Sequence, residues 1–203
     1  MQNFPPGKHW GSEPAFGKAR GSQPTQQLQV LFDQNVLFYL SELVVNHLLD
    51  SLTLNKYIHP NINDFNDFSF FTAPAYKALE GFLFQIAEDL NLPSSGRGNL
   101  AGSYYFDEEK LDKHIDKLLK ELENVAEGNK KLSTYEKRDI KDRIKEMKGF
   151  LQHYRNTPSH FYGEPIITVQ IADRNVKIIY GAIDNTAKIL LKAGLVQIKD
   201  DIH

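Results

Sequence analysis

The chain has 203 residues, and its 24 Lys and Arg against 26 Asp and Glu give a formal net charge of −2, so any surface for a polyanion must be local rather than global. It contains no cysteine, which excludes disulfides, thiolate zinc sites and thiol nucleophiles. Hydrophobic residues at 41%, with 13 Phe and 9 Tyr, supply one main core and rule out wholesale disorder.

Residues 1–24 carry Pro5, Pro6, Gly7, Gly11, Pro14, Gly17, Gly21 and Pro24 without hydrophobic periodicity. That composition does not offset the entropy of ordering, so the segment reads as a flexible leader or a cloning remnant. Met1 to Gly21 also lacks the apolar stretch of a secretory signal. From Thr25, placed as a cap, Leu28, Leu31, Phe32, Val36, Leu40, Leu43, Val44, Leu48 and Leu49 recur at helical spacing and predict one long helix from about Gln26 to Leu52. Its most apolar run, Asn35 to Leu49, includes Ser41, Glu42, Asn46 and His47, too polar for a bilayer core about 30 Å thick. The chain is therefore expected in the cytoplasm, without a membrane partner.

Asn61 to Asp67 is rich in turn formers and marks a loop. Thr72-Ala73-Pro74 reads as a helix opening, because proline is tolerated in the first turn, and the helix runs to about Leu90 with Tyr76, Leu79, Leu83, Ile86 and Leu90 inward. Gly81 on it would admit a close neighbour. After Pro93 to Gly98, Asp107 to Val125 forms a third helix with the stripe Leu111, Ile115, Leu118, Leu122 and Val125. Gly128 ends it. Ser133 caps a fourth, with Glu136 at capping-box spacing and Ile140, Ile144, Met147, Leu151 and Tyr154 on its buried face. Pro158 stops or bends that helix. Ile166 to Ile171 is β-branched and fits a short strand, or a hairpin with Val176 to Tyr180. The face formed by Val176, Ile179, Ile183, Ala187, Leu190 and Leu191, with Asp173 as cap and Gly194 as stop, favours a fifth helix. The predicted class is an all-α antiparallel bundle, with a short strand or hairpin near 166–171 as the alternative.

The residues with most chemical content are Arg155-Asn156-Thr157-Pro158-Ser159-His160, at the end of the fourth helix. A guanidinium holds a phosphate through paired donors, and a histidine exchanges protons near neutrality. Together they suit RNA cleavage: one manages the proton of the 2'-hydroxyl or the leaving oxygen, and the other stabilises charge on the phosphate. The plainer alternative is that Arg155 neutralises a helix dipole and His160 is a loop residue. Glu80 sits in its helix beside Tyr76, Leu83 and Phe84, a packed position where a carboxylate needs a partner; Arg155 is a natural one, and solvent beside Lys77 is the other reading. From Lys130 to Lys148 there are eight Lys and Arg against four Asp and Glu, a positive approach to Arg155 or simply a solvated face. His153, His160 and Glu164 match no metal-ligand spacing, and neither a GxxxxGK[ST] nor a GxGxxG loop occurs. No metal or cofactor is expected. Tyr104, Tyr105 and Phe106 read as bases' stacking partners or as a staple into the core.

With that motif placed between an apolar-striped helix and a final helix, the chain resembles a HEPN domain, the helical family whose ribonuclease members carry an arginine and a histidine separated by a few residues. The helix containing Ala78, Leu79, Glu80 and Gly81, two middle helices and the Arg155–His160 turn are most similar to the toxin domain of RnlA-type toxin–antitoxin systems. The resemblance covers about Thr72 to Gly194. It implies a helical domain over 25–195 with its core at about 72–194 and a tail at 196–203. By the same resemblance, two motifs would face one another in a homodimer cleft and cleave RNA without metal to a 2',3'-cyclic phosphate. Arg155, His160, Glu80 and Asn156 would be the site residues, and an antitoxin protein would silence them. Pro158 inside the motif and the helix before Thr72 depart from the family pattern.

The rival reading is a catalytically silent helical module that binds a partner protein or a nucleotide, because the helix over Gln26 to Leu52 has more apolar positions than one core face needs. A third is a nucleotidyltransferase accessory subunit or its modified target, since Tyr162 follows His160 by two residues.

Overall fold

The computed structural model describes residues 26–58, 65–90, 108–125, 131–152, 165–166 and 168–194. These form an all-α assembly: α1 (Gln26–Gln29), α2 (Gln34–Tyr39), α3 (Glu42–Ile58), α4 (Ser69–Asp89), α5 (Glu108–Val125), α6 (Thr134–Phe150) and α7 (Val169–Ala193). Among the described residues there is no strand.

The expected single helix over Gln26 to Leu52 is three helices, and the reason is polar hydrogen bonding, local at Asp33 and long-range at Gln85, that apolar spacing does not register. The Asp33 carboxylate accepts from the Asn35 N–H at 2.9 Å and starts α2 afresh. Leu40 then turns extended, with φ −63° and ψ 135°. Gln85 of α4, only 8% exposed, bridges that break. Its Oε1 accepts from Ser41 N–H at 2.8 Å and its Nε2 donates to the Tyr39 carbonyl at 2.8 Å. One side-chain amide thus replaces the helical bonds that the break removes.

Ser41 opposite Gln85 and Val44 opposite Gly81 set α3 antiparallel to α4. A Cβ at Gly81 would sit 3.3 Å from Val44 Cγ2, so glycine permits the close approach expected of it. Helix α4 begins earlier than the expected opening at Thr72, and Pro74 lies inside it. Its start is fixed by neighbours. Asp67 accepts from Ser69 N–H at 2.8 Å and from Ser69 Oγ at 2.6 Å, while Phe68 N–H donates to the Ile166 carbonyl at 2.8 Å. Pro74 leaves the Phe70 carbonyl without its usual i+4 donor, at a residue that lies on the surface.

Helix α7 is the hub. Tyr180 packs on Phe32 at a ring separation of 5.6 Å, Asp173 accepts from Asn55 of α3 at 3.3 Å, and α7 also packs along α4 and α6. Its cap is Thr168, whose hydroxyl accepts from Ile171 N–H, so the expected cap Asp173 lies inside the helix and the hairpin alternative over 166–180 gives way to a helix from Val169. Gly194 closes α7 as expected, at φ 102°. Leu48, Leu79, Phe82, Ile115, Ile144, Ile179 and Ile183 lie fully buried in one continuous core.

Candidate functional site

Helices α5 and α6 form an antiparallel pair. Ser133 and Glu136 make the expected reciprocal capping box: Ser133 Oγ accepts from Glu136 N–H at 3.2 Å, and the Glu136 carboxylate accepts from Ser133 N–H at 2.8 Å. Ile140, Ile144, Met147 and Leu151 are buried as the stripe predicts. After Phe150 the backbone widens into a π turn at Leu151 and Gln152.

The positive excess of this helix is largely engaged with carboxylates. Lys137 pairs with Glu123 of α5 at 2.9 Å, while Lys141 and Lys145 both reach Asp112 Oδ1, at 3.4 and 2.9 Å. Arg143 pairs with Glu146 at 2.9 Å, and Arg138 lies 5.7 Å from the centre of the Tyr135 ring. The hydrogen bond from Lys145 holds the Asp112 carboxyl below its ordinary range, and that from Lys137 does the same for Glu123. At the end of α6 the pairing helices leave a cleft of about 260 Å³ lined by Leu111, Asp112, Lys145, Lys148, Gly149 and Gln152. Lys148 is only 8% exposed.

Of the expected site residues, Glu80 is half-buried on α4, with Tyr76 and Leu83 buried beside it and Phe84 half-buried, the packed setting its neighbours predicted. Arg155, Asn156 and His160 lie outside the described residues, and so do His153, Tyr154, Tyr162, Glu164, Gly128 and the segments 93–98 and 104–106. The described chain stops at Gln152 and resumes at Pro165. Ile166 then joins α4: its N–H donates to Ser69 Oγ at 3.2 Å, and its carbonyl accepts from Phe68 N–H. The expected contact of Arg155 with Glu80 thus has one described partner.

Several buried polar residues were missed by the sequence reading. His114 is 4% exposed; burial, helped by nearby Lys117, pushes its imidazole down to about 4. Its signal was available, since it falls on the same α5 face as Leu111, Ile115 and Leu118. Asp184 accepts from Asp33 N–H at 3.0 Å and from Lys188 Nζ at 2.6 Å, tying α2 to α7. Burial raises the Tyr39 phenol, with Asp89 adding to the effect, and burial pushes Tyr180 up to about 12. Both phenols stay neutral at physiological pH.

Among the described residues, no three His, Asp or Glu side chains gather to hold a metal ion, and no helix is long and apolar enough to cross a membrane. No family model, curated protein or solved structure matches the chain.

Proposed function

We propose that the protein is a metal-independent endoribonuclease of toxin type, acting through Arg155 and His160 at the cleft of a homodimer, with Glu80 orienting the arginine and Asn156 assisting. The observation that supports this reading is the position of the two ends of the motif segment. Gln152 stands at the rim of a lysine-lined cleft, and Ile166 is fastened to the start of α4, the helix that carries Glu80. Five residues lie between His160 and Ile166, a reach of up to about 20 Å, and Glu80 lies about 16 Å along α4 from Ser69, so the chain is long enough to bring motif and glutamate together.

In the proposed step the 2'-oxygen bonds to phosphorus as its proton passes to His160, and Arg155 holds the phosphoryl oxygens as charge accumulates. The P–O5' bond breaks, the leaving oxygen takes a proton, and a 2',3'-cyclic phosphate remains. An antitoxin protein is the expected silencing partner, and the cytoplasm the expected setting. The test is cleavage of RNA by the purified protein in EDTA, compared with His160→Ala and Arg155→Ala. Loss of cleavage by about 100-fold or more in His160→Ala, the usual size of an acid–base contribution, is expected. Equal cleavage by both variants, or none by the wild type, refutes the reading.

A specific observation favours the rival module. Val30, Leu31, Phe38 and Leu43 remain at the surface of the N-terminal segment, where an interaction surface was expected. A stable heteromeric complex with no RNA turnover would select that reading instead.

A further inference from the structure

Helix α3 turns one side to the core through Val44, Leu48 and Ser51, all buried. Along another side runs a second line of residues, Leu43, His47, Asp50, Leu54 and Tyr57, spaced four, three, four and three apart as in the seam of a coiled coil. Its ends are exposed, Leu43 by 55% and Tyr57 by 70%, and Leu54 between them is half-buried. Single exposed apolar residues are ordinary on a protein surface, but three in one register on one helix form a face for a neighbour. Asn46 and Thr53, exposed beside the line, carry no charge, so they raise no like-charge barrier to a close approach.

The order of residues points to the occupant. Leu43, His47, Asp50 and Leu54 read Leu-His-Asp-Leu forward and Leu-Asp-His-Leu backward. Two copies of α3 laid antiparallel, with a two-fold axis level with Leu48 and Leu49, set Leu43 against Leu54 of the partner subunit and His47 against Asp50 of the partner subunit. Each contact then occurs twice. A parallel pair would set carboxylate on carboxylate instead. Within one chain His47 Nδ1 and Asp50 Oδ2 are 3.7 Å apart, too far for a hydrogen bond, and the Asp50 side chain is 70% exposed. An imidazole N–H donates to a carboxylate whether or not the ring is charged, so the crossed pairing supplies each carboxylate with a donor. A polar pair inside an apolar seam also fixes register and direction.

We infer that α3 is a homodimer interface, in which two copies pack antiparallel through Leu43, His47, Asp50 and Leu54. The inference does not rest on the nuclease reading, which calls for a dimer at the motif and assigns no role to α3. The seam from Leu43 to Tyr57 is about 21 Å long, which places the contact at the small end of specific interfaces, about 1,200 Å² or less. The dimer therefore forms reversibly, at micromolar concentration.

The test is sedimentation velocity of the full chain from about 1 to about 300 µM, with circular dichroism to confirm that each variant is folded. The wild type is expected to pass from 23.2 kDa to twice that mass as concentration rises. His47→Glu sets carboxylates against each other across the seam, and Asp50→Lys removes the acceptor; each should weaken dimerisation at least about tenfold. Mixed in equal amounts, the two variants should recover a dimer of wild-type affinity, because the new carboxylate of one meets the new ammonium of the other while the remaining histidine and aspartate keep their contact. An effect confined to each chain gives no such recovery. Because the chain has no cysteine, Leu43→Cys and Leu54→Cys give a second readout: mixed under mild oxidation they should form a disulfide-linked heterodimer, and neither should cross-link alone. A wild type that stays monomeric throughout overturns the inference and leaves the seam to a different partner. No recovery on mixing, or no cross-link between the cysteine variants, overturns it as well. A dimer that both charge variants retain overturns it too, and leaves the dimer of the nuclease reading standing on another face.

Discussion

Replacing His114 by leucine should flatten the acid limb of the protein's stability profile. The imidazole is held neutral in the core, with burial as the larger cause and Lys117 as the smaller, and it is pushed down from 6.5 to about 4. In the unfolded chain it titrates near 6.5. Between those two values the unfolded state binds a proton that the folded state does not, so stability is full above the unfolded pKa and falls as pH drops toward about 4. At about 1.4 kcal/mol per pH unit, the wild type should lose about 2 kcal/mol between pH 7 and pH 4.5 through this group alone. Asp112 and Glu123 act lower. Their carboxyls are held down by Lys145 and Lys137, so the stability they contribute is present above their ordinary values and fades only at more acid pH. Urea titrations followed by circular dichroism at pH 7 and 4.5 provide the assay. The two proteins need not be equally stable at pH 7; the prediction concerns the difference between the two pH values. Equal losses in wild type and His114→Leu would refute the assignment of a neutral, buried imidazole.

Gln85→Leu should destabilise the fold by about 2 kcal/mol, because the Ser41 N–H and the Tyr39 carbonyl lose their partner together; an unchanged urea midpoint would contradict the bridging role. Gly81→Ala sets a helix-propensity gain of about 1 kcal/mol against crowding on Val44 Cγ2. It should be near neutral in the wild type and stabilising by about 1 kcal/mol in a Val44→Ala background. A double-mutant cycle with no coupling would show that the α3–α4 approach is not limited at this contact.

The parts of the fold that were legible in the sequence are those governed by local chemistry. The capping box at Ser133 and Glu136, the positive-φ stop at Gly194 and, among the described residues, the apolar stripes of α4, α5, α6 and α7 appear where residue spacing put them, with Leu191 half-buried. What was missed depends on residues distant in the chain. The break between α2 and α3 relies on Gln85, more than 40 positions away, whereas the restart of α2 is a local cap at Asp33. The early start of α4 relies on Ile166, while the start of α7 is the exception, a local cap at Thr168 rather than at the expected Asp173. Periodicity also treats a buried imidazole as an interruption, which concealed His114 on the stripe of α5. For the candidate site, the half-burial of Glu80 followed from its apolar neighbours at i−4 and i+3. The positive run on α6 was visible as composition, but its pairing with Asp112 and Glu123 needed the antiparallel partner helix. The cleft had no motif at all; its sequence trace is one helical glycine between two lysine positions and a glutamine.

The most direct measurement of the central claim is the chemistry of the new RNA ends. Wild-type protein and His160→Ala would be incubated with an oligoribonucleotide in EDTA, and the products weighed by mass spectrometry. Paired 2',3'-cyclic phosphate and 5'-hydroxyl ends, present with the wild type and lost in His160→Ala, are the predicted result. Intact RNA with the wild type, or the same cyclic ends at the same rate from His160→Ala, would contradict the account.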